Sequence, residues 1–332
     1  MAVTFRAYRV FEKDNNTFTG KVVERSTTEL PDNDVLIKVH YSGLNYKDAL
    51  SAAGNKGVTR KYPHTPGIDA AGVVVESNFK EVHPKQEVIV TGFDLGMNTD
   101  GGFGEYIRVP HEWVVALPEG LSLKKSMVYG TAGFTAAQLV EKLRTHGVSP
   151  EKGPVIVTGA AGGVGSLSVL LLKKLGFEVV AATSNIEDSA DTISLVGADK
   201  HVDKSATIDT TKRMLLPGKY AGAIDCVGGD VLATLLKSVM EHGHVATCGN
   251  ILSHELHTTV FPFILRGIGL HGVTSQNTAI EDRKRIWNLL ADEYAVEIPE
   301  GLIREISLEE LESALQKMTS KKNRGQVLLC HT

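Results

Sequence analysis

Three cysteines in 332 residues, Cys226, Cys248 and Cys330, are too few and too odd in number for a disulfide framework. Their scarcity fits a reducing compartment, and a cytoplasmic protein is expected. No run of about 18 uncharged apolar residues occurs, so no membrane span is expected. The opening MAVTFRAYRVFEKD lacks an apolar stretch ahead of a small-residue cleavage site and reads as a first strand and turn. A dominant charge is missing as well. The formal net charge of -4 argues against a general nucleic-acid binder. Glycine, by contrast, is plentiful at 33 residues, which predicts many tight turns or close backbone approaches. The length exceeds what one core comfortably holds, so two domains are expected.

The first 120 residues read as β-rich. Strands are expected at residues 35–41, 70–75 and 86–90, short β-branched runs bracketed by Gly, Pro, Asn and Asp. Near Pro118 the texture changes. Residues 122–144 hold a helical stretch with Ala136, Leu139, Val140 and Leu143 on one face. From Pro154 strand and helix alternate: strands at 155–158, 178–183, 221–227 and 245–248, and helices at 165–175 and up to Gly197. Such alternation predicts an α/β domain, a doubly wound parallel sheet covered by helices on both faces. Beyond residue 260 come further strands, a helix and a last strand at 326–330.

The segment Val155-Ile-Val-Thr-Gly-Ala-Ala-Gly-Gly-Val-Gly165 is a strand, a glycine-rich turn and the mouth of a helix. A pyrophosphate has to approach backbone closely, and the helix N-terminus favours its charge. Gly159, Ala161, Gly162, Gly163, Val164 and Gly165 are therefore candidate cofactor residues. The following strand runs into Thr183-Ser184-Asn185, with no acid at its tip to bond the ribose hydroxyls and repel a 2′-phosphate. This favours NADPH over NADH. Lys200 would supply the balancing charge, or is an ordinary solvated lysine.

The chain resembles the zinc-free medium-chain dehydrogenase/reductase superfamily, in its acrylyl-CoA reductase and quinone oxidoreductase branch. Five segments carry the likeness: Gly43-Leu-Asn-Tyr-Lys-Asp48, Pro66-Gly-Ile-Asp-Ala-Ala-Gly72, Gly130-Thr-Ala-Gly-Phe-Thr-Ala136, the glycine loop, and Pro262-Phe-Ile-Leu-Arg-Gly267. The resemblance implies a Rossmann dinucleotide-binding domain at 124–262 and a β-rich GroES-like catalytic domain split over 1–123 and 263–332. Zinc-dependent relatives carry a Cys and a Gly-His-Glu where this chain has Ser42-Gly-Leu-Asn45 and Gly67-Ile-Asp69. No Cys precedes Cys226, and His64 and His83, read as surface or loop residues, do not make up a ligand set, so no metal is expected.

By the same resemblance Asn45, Tyr46 and Asp48 are the candidate catalytic residues. Tyr46 would bond a substrate carbonyl or donate a proton, or is a half-buried tyrosine with a wet hydroxyl. Asp69 reads as a buried polar brace, or else as a further catalytic group. Cofactor contacts are implied for Tyr46, Thr131, Thr135, Cys248, Gly249, Asn250, Arg266, Ser275 and Asn323. Thr131 and Thr135 also suit a helix start, and Cys248 alone suits packing.

The implied reaction is hydride transfer from NADPH to the C=C bond of an α,β-unsaturated acyl thioester such as acrylyl-CoA. Lys56, Arg60 and Lys61 would rim a CoA site, or lie on a solvated loop. A quinone or enone reductase is the alternative enzyme, and an NADPH-binding protein without turnover the alternative class. Strands expected at Thr258–Phe263 and Ile268–Val273 would offer an edge for a homodimer.

Overall fold

The computed structural model describes residues 2–211, 213–320 and 323–331. Two compact units emerge. One is Met1–Thr131, Gln276–Ala291 and Ile303–Thr332, and the other is Ala132–Ser275 with Asp292–Leu302. The chain therefore returns to the first unit at Gln276, later than the expected 263.

The first unit opens with a hairpin of two ten-residue strands, β1 (Thr4–Lys13) and β2 (Thr17–Ser26). There follow β3 (Val35–Gly43), the helix α1 (Tyr46–Ala52), β4 (Asp69–Ser77), β5 (Glu87–Thr91), β6 (Tyr106–Val109) and β7 (Val115–Ala116). Val35, Ile37 and Val39 alternate inward along β3 and pack on Ala70, Val74, Val88, Val90, Ile107 and Val109, the period-2 burial of a strand. The helix α2 (Leu123–Thr145) is two helices merged across a break at Gly130, φ 51° and ψ -156°. Its first piece ends the unit's N-terminal segment.

The second unit begins within α2 and continues as β8 (Val155–Thr158), α3 (Gly163–Lys174), β9 (Val179–Thr183), α4 (Ile186–Val196), β10 (Lys200–Asp203), β11 (Tyr220–Asp225), α5 (Gly229–Ser238), β12 (Val239–Thr247), α6 (Phe261–Arg266) and β13 (Gly269–Gly272). The six strands are parallel and lie in the order β10-β9-β8-β11-β12-β13. Counted from β8 this is 3-2-1-4-5-6, the dinucleotide-fold order, with its reversal between β8 and β11. All four side chains of β8 are buried, as a strand covered on both faces requires. Gly197 closes α4 in the left-handed region at φ 70°.

The chain then adds α7 (Ile280–Ala291), β14 (Ile303–Ile306), α8 (Leu311–Thr319) and β15 (Gln326–Cys330) to the first unit. Its seven-stranded sheet runs β14-β15-β3-β4-β5-β7, with β6 also on β3. Leu311, Ala314, Leu315 and Met318 of α8 pack on Leu44, Ala49, Val327 and Leu329, which fixes α1 against the sheet.

The expected strand at Thr258–Phe263 is corrected. Residues 258–259 lie outside regular structure, and Phe261 starts the helix α6. Pro262 in the first turn and Gly267 past the end are helix signals that outweigh the β-branched run. The return at Gln276 has a related cause. β13 pairs with β12 in parallel, so it belongs to the dinucleotide sheet. No helix among the described residues is long and apolar enough to cross a membrane.

Candidate active site

In the first unit the motif Asn45–Asp48 is the N-terminus of α1. Asn45 is the N-cap and Asp48 stands at N3, where its carboxylate reaches back to the Asn45 backbone N–H as in a capping box. The Asp48 carboxylate accepts from Asn45 N at 2.7 Å, Ile68 N at 2.9 Å and Gly67 N at 3.2 Å. Burial outweighs these donors and pushes its carboxyl up to about 7. Asp48 is sealed from solvent with both oxygens on backbone. The catalytic expectation for Asp48 is therefore corrected to a positioning one: it ties α1 to the turn before β4. Tyr46, one residue past the cap, is 45% exposed.

Asp69, the first residue of β4, is the second buried carboxylate. One oxygen accepts from Asn45 Nδ2 at 2.8 Å and from Thr131 N at 2.7 Å, and the other from Thr131 Oγ1 at 2.6 Å. The break at Gly130 explains the geometry. It restarts the helix at Thr131, so Asp69 meets a fresh N-terminus, where a carboxylate is favoured. A Cβ on Gly130 would stand 2.6 Å from Asp69 Oδ2, which leaves glycine as the fitting residue there. Burial pushes the Asp69 carboxyl up, opposed by Thr131 and Asn45.

Two cations in this unit escaped sequence reasoning. Lys47 donates to Gln276 Oε1 at 2.7 Å, and burial lowers its pKa. Arg283 of α7 is buried, donates to Thr91 Oγ1 and the Gln276 carbonyl, and lies over the Phe93 ring at 4.5 Å. Burial pushes its guanidinium down to about 10, with Asp69 opposing. Lys47 stood inside a quoted motif but its direction could not be read. Nothing local marks Arg283: Gln276 is near in sequence, but that contact is to a backbone carbonyl, and Thr91 lies 192 residues away.

In the second unit the candidate residues gather at the C-terminal ends of the strands. Gly159 follows β8 at φ +62°, and a Cβ on Gly165 would meet the Gly159 carbonyl at 2.2 Å, so position 165 admits no side chain. Ala161 is buried, while Gly162, Gly163 and Val164 are partly exposed. The N-cap of α3 is Gly162, so no side chain caps the helix, which suits a phosphate. Asp225 at the end of β11 holds this edge together. It accepts from Thr158 Oγ1 at 2.7 Å, Gly228 N at 2.9 Å and Thr247 Oγ1 at 3.0 Å, which joins β8, β11 and β12. Sequence reasoning missed Asp225. Its only local sign is an acid ending an apolar strand before Gly228-Gly229.

Thr183 is buried and bonded to His201 Nε2 at 2.7 Å. Ser184 and Asn185 are exposed, and Asn185 caps α4 through Asp188 N. Lys200 is corrected. Parallel register sets it beside Val180, three residues before Thr183, and its ammonium pairs with Glu178 at 2.8 Å. At about 3.3 Å per residue this is roughly 10 Å from the strand tip. Lys204, exposed just past the end of β10, lies at the strand-tip edge.

Arg266 is also corrected. Its guanidinium donates to the carbonyls of Leu216, Lys237 and Val239, the last of these the first residue of β12, at the edge opposite the strand tips. Asn323 donates to Gly325 O within its own turn. Cys248, Gly249 and Asn250 follow β12 at the glycine-loop edge, and Ser275 lies three residues past β13. Thr135 is buried in the second piece of α2. His64 is buried and bonded to the Gly96 carbonyl at 2.9 Å rather than lying at the surface, while His83 is exposed. Lys56 is held by Glu12 at 2.7 Å, and Arg60 and Lys61 are exposed.

Comparison with known proteins agrees with this layout. Residues 31–119 match the alcohol dehydrogenase GroES-like domain, and residues 163–292 match the zinc-binding dehydrogenase family. The putative quinone oxidoreductase YhfP of Bacillus subtilis is 43% identical over 99% of both chains. The crystal structure of B. subtilis yhfP with NAD bound superposes with a TM-score of 0.95 at 41% identity, over 99% of this chain and 100% of that one. The probable acrylyl-CoA reductase AcuI of Escherichia coli is 39% identical over 96% of this chain and 98% of its own. The yhdH oxidoreductase of Salmonella enterica, solved with NADP, gives a TM-score of 0.93 at 38% identity, over 98% and 100%. Full-length identity at this level, on the same two units, places the chain in the medium-chain dehydrogenase/reductase superfamily, in the branch of the acrylyl-CoA reductases and quinone oxidoreductases.

Proposed function

We propose that this chain is an NADPH-dependent reductase that transfers a hydride to the C=C bond of an α,β-unsaturated acyl thioester such as acrylyl-CoA, without zinc. The observation that carries the reading is the full-length likeness to the probable acrylyl-CoA reductase of E. coli. NADPH is favoured by the acid-free tip Thr183-Ser184-Asn185 and by Lys204 beside it. The uncapped start of α3 and the glycine turn suit the pyrophosphate.

A zinc ion does not fit the residues present. In the segments where zinc-dependent relatives carry ligands, Asn45 is bonded to Asp69, and Asp69 also accepts from Thr131, so each Asp69 oxygen already accepts a hydrogen bond. Negative charge developing on a substrate carbonyl is instead met by hydrogen bonds. Tyr46, exposed at the start of α1, is the donor assigned here, with Asn45 and Asp48 fixing its backbone. The cofactor supplies the hydride, and the chain supplies orientation and a proton for the α-carbon.

A quinone reductase is the second reading, favoured by the 43% identity to YhfP. NADPH oxidation with acrylyl-CoA and a simple benzoquinone in parallel, each repeated with NADH, decides between them. A much higher kcat/KM for acrylyl-CoA supports the thioester reading, and preference for the quinone overturns it. A homodimer is proposed as well. The sheet ends in the open edge strand β13, and Val260, Ile264 and Leu265, around α6 just before it, are 63%, 67% and 57% exposed. Light scattering at micromolar concentration tests this, and a monomer mass would overturn it.

A further inference from the structure

The dinucleotide unit carries a pair of thiols that the proposed reaction does not use. Strands β11 and β12 run parallel, and their ladder ends with Asp225 opposite Thr247. Cys226 and Cys248 directly follow the two strands, and Cys248 N still donates to the Asp225 carbonyl at 3.0 Å, so the pairing carries one residue further. The Thr247 hydroxyl donates to Asp225 Oδ2, so those two side chains share one face. Alternation turns the following pair together to the other face. The two Sγ atoms stand 4.0 Å apart, and both thiols are free. Neighbouring strands lie about 4.8 Å apart, inside the roughly 4.4–6.8 Å Cα window of a disulfide. Closure to a bond of about 2.05 Å is then a matter of side-chain rotation rather than chain rearrangement.

We propose that Cys226 and Cys248 are a modification site, a reversible disulfide formed by a peroxide, and that its formation closes the cofactor edge of the sheet. Cys248 is the partly exposed partner and meets the oxidant, while Cys226 is buried. Hydrogen peroxide oxidises the Cys248 thiol to a sulfenic acid and leaves as water. The Cys226 sulfur then attacks Cys248 Sγ. The S–S bond forms, the S–O bond breaks, and hydroxide takes up the Cys226 proton and leaves as a second water. The contact with Cys248 and burial hold the Cys226 thiol above its ordinary pKa, so Cys248 rather than Cys226 is the thiol that meets the oxidant first.

The position gives the bond its consequence. A Cβ on Gly159 would lie 3.5 Å from Cys226 Cβ, and one on Gly249 would lie 2.2 Å from Cys226 O. Cys226 is therefore wedged behind the glycine turn and beneath the Cys248–Asn250 segment. Linking Cys248 to it pins together, where they stand, the two segments that would flank the dinucleotide, so that they no longer adjust to it. The effect on affinity rests on the cofactor reading above, whereas the disulfide itself does not.

The test uses the full chain carrying Cys330→Ser, which removes the third thiol. After brief peroxide treatment, intact mass should fall by about two mass units and a peptide linking Cys226 to Cys248 should appear. NADPH affinity should drop about tenfold or more and return with dithiothreitol, and prebound NADPH should slow the linkage. Adding Cys226→Ser should abolish the linked peptide. Separate oxygen additions without linkage would overturn the proposal, as would a linked chain that binds NADPH unchanged. Failure of the reduced chain to bind either nucleotide would overturn the cofactor reading and the closure with it, while the mass still decides the disulfide.

Discussion

Each unit braces its candidate residues with a buried aspartate, yet the two braces differ in what they organise. Asp69 gathers side chains, Asn45 and Thr131, from separate segments of the catalytic unit. Asp225 gathers strand ends, fixing the tips of β8 and β12 and the turn at Gly228. On the proposed reading, the first unit works through side chains that must be aimed, and the second through backbone that must be bare. Substitutions should therefore hurt in different ways: shape changes at the glycine turn abolish binding, whereas removal of a brace costs stability first.

The largest effect is expected for Gly165→Val. Its Cβ would collide with the Gly159 carbonyl, and nucleotide affinity should fall by at least about 100-fold, near 2.7 kcal/mol, in a fluorescence titration. Retained affinity would break the claim that bare backbone carries this half. Asp225→Ala and Asp69→Ala come next. Each strands several buried donors and should cost about 2–4 kcal/mol in denaturant unfolding, followed by circular dichroism. A loss under 1 kcal/mol at either would show that its network is not a brace.

Asp48 gives a pH test. Its carboxyl is raised to about 7 in the folded chain, against about 3.9 when unfolded. The folded state thus binds the proton more tightly, and this stability is present below pH 4 and lost as pH rises through 7. The stability gap between the parent chain and Asp48→Asn should be largest near pH 4 and shrink toward pH 8. A gap that widens with pH would contradict the burial-dominated shift. The smallest effect separates the two lysines. Lys204→Ala should raise the NADPH Kd about three- to tenfold and leave that for NADH unchanged, whereas Lys200→Ala should change neither.

Legibility follows the same divide. The glycine turn and β8 could be read because they are contiguous and their period and composition change together. The strand at 155–158 and the last strand at 326–330 match their expected bounds. Asp69 could be read as a brace from its apolar neighbours, but its partner Thr131 lies 62 residues on, and no local pattern reports that. Asp48 was misread because a helix cap and a catalytic acid have the same composition. Lys200 was misread because sequence distance does not give strand register, and Arg266 because its carbonyl partners lie 27 to 50 residues away. The strand expected at Thr258–Phe263 failed where Pro262 and Gly267 carried the stronger signal.

The central claim concerns where the hydride goes, and deuterium transfer tests it most directly. The chain would be incubated with NADPH deuterated at the transferring position and acrylyl-CoA, and the product analysed by mass spectrometry. The account predicts propionyl-CoA carrying one deuterium on the β-carbon. Unlabelled acrylyl-CoA recovered intact, while a benzoquinone is reduced by the same mixture, would contradict it.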